Sequence, residues 1–590
     1  MCSGKVMHPL LISIANISMM VQKKAASHSF LLLTLMPIPE FLHDTSRMCS
    51  LLEARLFHQC LDIVLEPLKQ AAQFGCMIPD PLGNQHYCFT PFVSYITDTP
   101  EACLVACVQG LTSPVTMAIY RNFGDQNRHQ PCTAMLTLSQ LHLIRDLKSD
   151  IKAYFGMCEP YHLSGVARPF WRDWPLAEPS WFLTPEPLHY WHWECWDHDI
   201  RWCTFALGDR EIDFCFSIRP KITSIRHFRH GITKLKQVGG RTQRDVQWYL
   251  IAVIAGGVDA DVVIAVRALM EFRYLSQAPA ITSCTQDRIQ AALNEFHDHK
   301  QAIVDLGLRR GQKMEMDHFH ILKLELMQQV VPSITQVGSL LQWSADTMEH
   351  AHIEVIKDPA SMMNNQDYDS QICCTLDHDK KHQLFKTAIC LREFQEAPQS
   401  WDEAELKDNE AKSKDNNDND ENVLKDLWSA KCQTTDFFKV TVKNANASTS
   451  TNSFPPCTII AALTAIYLNI KSKFCCKSIK EFADMFKLPD LRAALGDYVK
   501  RVVHTQSLLH TFGHARQSSS DVGLPFTELQ VWSKVHLQQK SYYYPEETFS
   551  QTFTVSAQPP DWNWKYGHYN TAILQVAESR QWPTSGMQGM

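Results

Sequence analysis

The apolar and polar positions of this chain fall into a readable series of elements. His8 to Asn16 (HPLLISIAN) and Ser29 to Met36 (SFLLLTLM) are short apolar runs separated by a polar turn holding Lys23 and Lys24, and they predict two buried strands. Arg47 to Phe74 carries Leu51, Leu52, Leu56, Cys60, Ile63, Val64 and Leu68 at helical spacing, which predicts one long helix stopped by Gly75. A turn signal at Asp80-Pro81-Leu82-Gly83-Asn84 leads to Tyr87–Thr97, which reads as a strand ending at Asp98, and Thr99-Pro100-Glu101 opens a new helix. Residues 110 to 167 are less regular, broken by Gly124, Pro131 and Gly156. Amphipathic helices follow over Asp245–Gly256, Val262–Ala278, Gln286–Leu306 and Lys323–Val331. Leu340–Trp343 then reads as a short strand, and Thr347 as the cap of a helix that places Glu349 and His352 on one face. Helical segments are predicted near Thr458–Ile470 and Ile479–Lys500, with weak order over Gln551–Met590.

One stretch departs from these patterns. Arg168 to Cys203 holds seven of the fifteen tryptophans, and Pro169, Pro175, Pro179 and Pro185 break its first half into extended pieces. Beyond Pro187 a helix over Leu188–Trp202 is predicted. Two readings of the stretch stand side by side. It is either a buried junction between a loop and a helix, or a platform on which bases stack beside Glu186 and His189.

Composition changes the picture in several respects. At 590 residues the chain has room for two to four domains. Twenty cysteines include no CxxC pair, so neither a zinc ribbon nor a thioredoxin-like site is supported, and a structural metal protein built on His and Cys lacks ligand spacing. The apolar runs near the start fall short of the roughly 20 residues a membrane helix needs. The net charge of −7 gives no whole-protein case for nucleic acid, so that case has to be local. Locally it exists: Cys215 to Arg244 contains no acid, while Arg219, Lys221, Arg226, Arg229, Lys234, Lys236, Arg241 and Arg244 supply eight cations. Asp402 to Asp426, with ten acidic residues and four lysines, reads as a disordered acidic linker and a domain boundary.

Asp98, at the end of a predicted strand and the start of a helix, is either a metal-binding carboxylate or a helix cap. The segments HPLLISIAN, DPLGNQHYCFTPFVSYITDTPEA, RPFWRDWPLAEPSWFLTPEPLHYWHWECWDHD, GITKLKQVGGRTQRDVQWYLIAVIAG, VIAVRALMEFRYLSQAP, EFHDHKQAI and QWSADTMEHAHIEVIKDPA resemble fungal Plavaka-type transposases of the CACTA superfamily, almost continuously over residues 1 to about 375. KLPDLRAALGDYV and LPFTELQVW resemble the family's C-terminal region more loosely.

That resemblance implies an α/β fold: an RNase H-like mixed-sheet core interrupted by a large, mostly helical insertion, then the acidic linker and a small helical C-terminal region. It places the first part of the core at 1–110, the insertion at 111–335, the last part of the core at 336–400, the linker at 401–430 and the C-terminal region at 431–590. It implies DNA cleavage and strand transfer by two-metal phosphoryl transfer with Mg²⁺ or Mn²⁺. Asp98 would be the second carboxylate and Glu349 the third, both as metal ligands. Glu186 and His189 match an acidic residue and a histidine of related enzymes, without the CxxC that usually accompanies them, so zinc is not expected. The family's first carboxylate lies on a strand upstream of the segment matching Ser3-Gly4-Lys5. A chain beginning Met-Cys-Ser-Gly is therefore expected to lack it, to hold metal poorly and to be inactive. The implied partner is DNA at transposon ends, with a homo-oligomer allowed, no membrane, and a nuclear location. The alternative is a non-catalytic DNA-binding or host-recruited protein using segment 219–244.

Overall fold

The computed structural model describes residues 8–23, 27–43, 45–80, 84–144, 150–219, 225–236, 238–311, 314–364, 368–396, 436–439, 458–461, 463–468, 474–503, 518–540, 552–562, 565 and 567–570. The chain is mixed α/β and divides into two compact units, residues 1–216 with 230–397 and residues 217–229 with 398–590. The predicted acidic linker lies outside the described residues, as do 571–590 of the expected weakly ordered tail. Among the described residues no helix is long and apolar enough to cross a membrane.

The first unit opens with the two strands its apolar runs predict, although they are mostly half-buried rather than buried. Strands β1 (His8–Ile12) and β2 (Leu31–Met36) pair antiparallel, His8 opposite Met36, with a register shift between Leu10 and Leu11. The long helix forms in two pieces, α1 (Ser46–Val64) and α2 (Glu66–Phe74). The break falls at Leu65 (φ −93°, ψ 0°) because Pro67 has no N–H to continue the ladder and its ring crowds the preceding turn. Gly75 ends α2 with φ +71°, and a side chain there would strike the ring of Tyr87. That close approach lets β3 (Cys76–Pro79) fold back on β4 (Gln85–Cys88).

The predicted strand over Tyr87–Thr97 is not one. Pairing ends at Cys88, and residues 89–98 run irregularly, held by scattered bonds. The Thr90 hydroxyl donates to the Leu68 carbonyl, Trp174 Nε1 donates to the Thr90 carbonyl, and the Tyr95 N–H donates to the Phe182 carbonyl. Pro91 removes a ladder donor at the point where pairing stops. The strands described in this unit therefore make two antiparallel pairs rather than one larger sheet. Leu340–Trp343 is likewise a 3₁₀ turn and not a strand, since Ser339 folds over it to accept the Leu341 N–H.

The helical block matches its periodicity. It contains α4 (Ile200–Leu207), α5 (Gly240–Ile254), and the antiparallel pair α6 (Ala260–Ser276) and α7 (Ser283–His299). The tryptophan stretch is mostly junction core. Trp171, Trp191 and Trp202 are fully buried, Trp171 donates to the Val105 carbonyl at 2.8 Å, and Trp174 stacks on Phe92 at 4.7 Å. Trp181 and Trp193 remain exposed. The helix predicted over Leu188–Trp202 is wound wide, with π turns at Pro187–His192 and Cys195–Asp199 before α4.

In the second unit the predicted helix at Thr458–Ile470 is instead a hairpin, β5 (Thr458–Ala461) and β6 (Thr464–Leu468). Its Thr and Ile residues are β-branched and pack better on a pleated surface than in a helix. With β9 (Lys534–Gln539), β10 (Phe553–Gln558) and β11 (His568–Tyr569) they form an antiparallel sheet in the order β11-β10-β9-β6-β5. Strands β7 (Phe474–Ser478) and β8 (Glu528–Val531) pair separately. The region expected to be helical is therefore a sheet accompanied by two helices, Ile479–Phe486 and Leu491–Val503. The first of these is fixed by a Ser478–Glu481 capping box.

Candidate functional site

Glu186 organises the site from inside. It is fully buried and precedes the first wide turn, where the backbone N–H groups of Leu188 and His189 have no partner within the helix. Its carboxylate accepts both: Leu188 N donates to Oε2 at 2.9 Å, and His189 N donates to Oε1. Oε2 also accepts the Ala345 N–H at 3.2 Å, from 159 positions away in the chain. Ala345 starts helix α8 (Ala345–His352), whose cap is Ser344 rather than the predicted Thr347. One buried carboxylate thus ties the start of α8 to the turn that carries His189.

That tie sets the distances between side chains. His189 Nδ1 lies 2.8 Å from Glu186 Oε1, and its Nε2 lies 3.7 Å from Glu349 Oε1, one turn into α8. Asp98 caps α3 (Thr99–Val105) by accepting the Glu101 N–H at 3.0 Å, so it is the helix cap that one reading expected. Its charge is also close enough to act on His189. Burial pulls the imidazole pKa down, but the bond to Glu186 and the charges of Glu186, Glu349 and Asp98 outweigh it, and the net effect is upward. The Glu349 carboxyl is raised, by burial first and by Asp346 and Glu186 next, against the opposing pull of His189.

The surroundings supply further charged groups that the sequence did not single out. Glu101, in the first turn of α3, accepts the Tyr95 hydroxyl at 2.7 Å and lies 3.5 Å from His8 Nε2. The Glu101 hydrogen bond is the largest influence on His8, and it raises the imidazole's pKa despite burial. Asp346 pairs with Arg244. Gly240 starts α5 without a side chain because a Cβ there would run into Leu188 and come within 3.5 Å of Asp346 Oδ1.

The cations expected to contact DNA are placed unevenly. Arg219 is buried inside its segment, donating to the Arg226 carbonyl and lying 5.5 Å from the Phe228 ring centroid. Arg226 is exposed and also approaches Phe228, at 5.9 Å, and Arg229 is exposed. Lys221 lies outside the described residues. Lys234, Lys236 and Arg241 are exposed, whereas Arg244 is engaged by Asp346.

The donor set does not fit a pair of divalent metals as it stands. Two-metal sites need several carboxylate oxygens converging on one point. Here Glu186 spends both oxygens on backbone N–H groups, and His189, whose pKa is raised, lies 3.7 Å from Glu349. Among the described residues no group of three His, Cys, Asp or Glu side chains is arranged to hold a metal ion.

Fold and site together define a mixed α/β protein in which two carboxylates and a histidine converge from three distant segments. Residues 1–203 match the family model of the Plavaka transposase. Residues 438–590 match a domain of unknown function, DUF6830, which takes in the β5–β11 region. No curated protein and no solved structure matches the chain.

Proposed function

We propose that this chain is a transposase-derived DNA-binding protein, with Asp98 and Glu349 at the site where its family cuts and joins DNA, and that this site is catalytically incomplete. The observation that carries the reading is the gathering of Asp98, Glu186, His189 and Glu349 at one place, two of them in or beside the turn of the Plavaka-matched tryptophan stretch and one on a helix far downstream. In transposases with an RNase H-like core, carboxylates in such positions hold Mg²⁺ or Mn²⁺. Those ions activate the attacking oxygen and stabilise the leaving one. Here the residues serve other purposes. Glu186 holds two chain segments together, and His189 balances the negative charge of its neighbours.

Purified chain incubated with element-end DNA and Mn²⁺ tests the proposal. Retention of DNA without strand cleavage is the expected result. Cleavage that disappears in Asp98→Asn and Glu349→Gln would sink the claim of incompleteness. Failure to bind DNA at any salt concentration would sink the DNA-directed reading. A nuclear site of action belongs to the same proposal and is checked by imaging a tagged chain.

A further inference from the structure

Away from the acidic site, the first unit holds a cleft of about 200 Å³ whose lining includes Arg201, Trp202, Phe205, Arg309 and Arg310. Its chemistry is unusual for a surface hollow, since three of these residues are arginines. Helix α4 presents Arg201 and Phe205 at i and i+4, on one face and both exposed. From the other side, Arg310 lies with its guanidinium carbon 5.2 Å from the Phe205 ring centroid. Arg309 is buried at the back, where its Nε donates to the His318 carbonyl at 3.3 Å. Trp202 forms the floor, stacked on His198 at 6.1 Å and edge-on to Phe319.

The acids nearby do not cancel these charges at the mouth. Asp197 has Lys323 at 3.9 Å, and Glu315 sits 3.5 Å from Arg310 with two-thirds of its side chain in solvent. The cleft therefore keeps a net positive charge beside an exposed aromatic ring. Guanidinium groups match phosphate geometry, and an aromatic face accepts any base. A volume near 200 Å³ suits one phosphate with part of a base rather than a duplex groove.

The geometry points to a single-nucleotide subsite for single-stranded DNA, with a backbone phosphate on Arg201 and Arg310 and its base against Phe205. This rests on the DNA-directed reading above but uses none of the residues of the acidic site. The test is anisotropy of the full chain with a fluorescein-labelled single-stranded oligonucleotide across a salt series, with pyrophosphate as competitor. Arg201→Ala combined with Arg310→Ala should weaken binding about tenfold and flatten the salt slope by roughly 1.4, the share of two phosphate contacts on a single strand. Phe205→Ala should weaken binding about fivefold with the slope unchanged. All three side chains are exposed, so the melting temperature should match the parent and separate lost binding from lost folding. Unchanged oligonucleotide affinity in the double arginine variant overturns the subsite, even in a chain that binds or cuts duplex DNA normally. Loss of pyrophosphate competition without loss of oligonucleotide affinity overturns it equally, leaving only a site for free phosphate.

Discussion

At the level of single residues, His189 carries the sharpest consequence. Its charge state depends on side chains from three parts of the chain, and all three favour the protonated ring. With its pKa raised in the folded state, its stabilising attraction to Glu349 is fully present below the ordinary histidine value near 6.5. That attraction is lost as pH rises through the raised value. An NMR titration of the histidine Hε1 signals should find His189 titrating above 6.5, and Glu349→Gln should move it down. A titration already at or below 6.5 in the parent would contradict the geometry. The residue names Asp98, Glu186, His189 and Glu349 were legible from family resemblance. What Glu186 does was not, because its third hydrogen bond comes from Ala345, and no local pattern brings that N–H near.

At the level of elements, the wide turns after Pro187 need an internal brace. Arg273 on α6 supplies it, donating to Asp199 at 2.5 Å and to Glu194, with all three side chains out of solvent. Two acids share one cation there, and burial, with the charge of Asp199 next, pushes the Glu194 carboxyl well above its usual range. Arg273→Ala would leave buried acids uncompensated and should cost about 3–5 kcal/mol in a denaturant melt. Glu194→Gln should cost far less and should reduce the loss of stability seen as pH rises from the usual carboxylate range through about 8, where the folded state keeps a proton that the unfolded chain has released. Equal losses in the two variants would show that the cluster acts through packing alone. The helices around this brace were readable from periodicity. The widening was not, since the periods of π and α turns differ too little over five residues to appear in an apolar pattern.

For the whole molecule, charge is the property that reaches furthest. A net charge of −7 makes DNA binding depend on local cation density, and the exposed members of the basic run in the first unit are Lys234, Lys236 and Arg241. Replacing all three by alanine should leave the melting temperature unchanged. It should weaken duplex binding at low salt and reduce the slope of log affinity against log salt by up to about 2.7. A slope equal to the parent's would remove this surface from the DNA contact. Arg244 belongs to the same run in sequence, yet Asp346 already occupies it, so its replacement should affect the acidic site before it affects affinity.

The sequence by itself determined the elements whose patterning is long or chemically marked: strands β1 and β2 and helices α5 to α7. Local rules suffice there because an amphipathic face repeated over several turns has few other ways to bury itself. Only the tertiary structure decided the rest. It ended β4 at Cys88, turned Thr458–Leu468 into a hairpin, put Arg219 inside and Lys234 outside, and set Arg309 and Arg310 opposite Arg201 and Phe205. Short segments take the conformation that satisfies their backbone groups and neighbours. Those partners lie up to hundreds of residues away, where a linear pattern carries no trace of them.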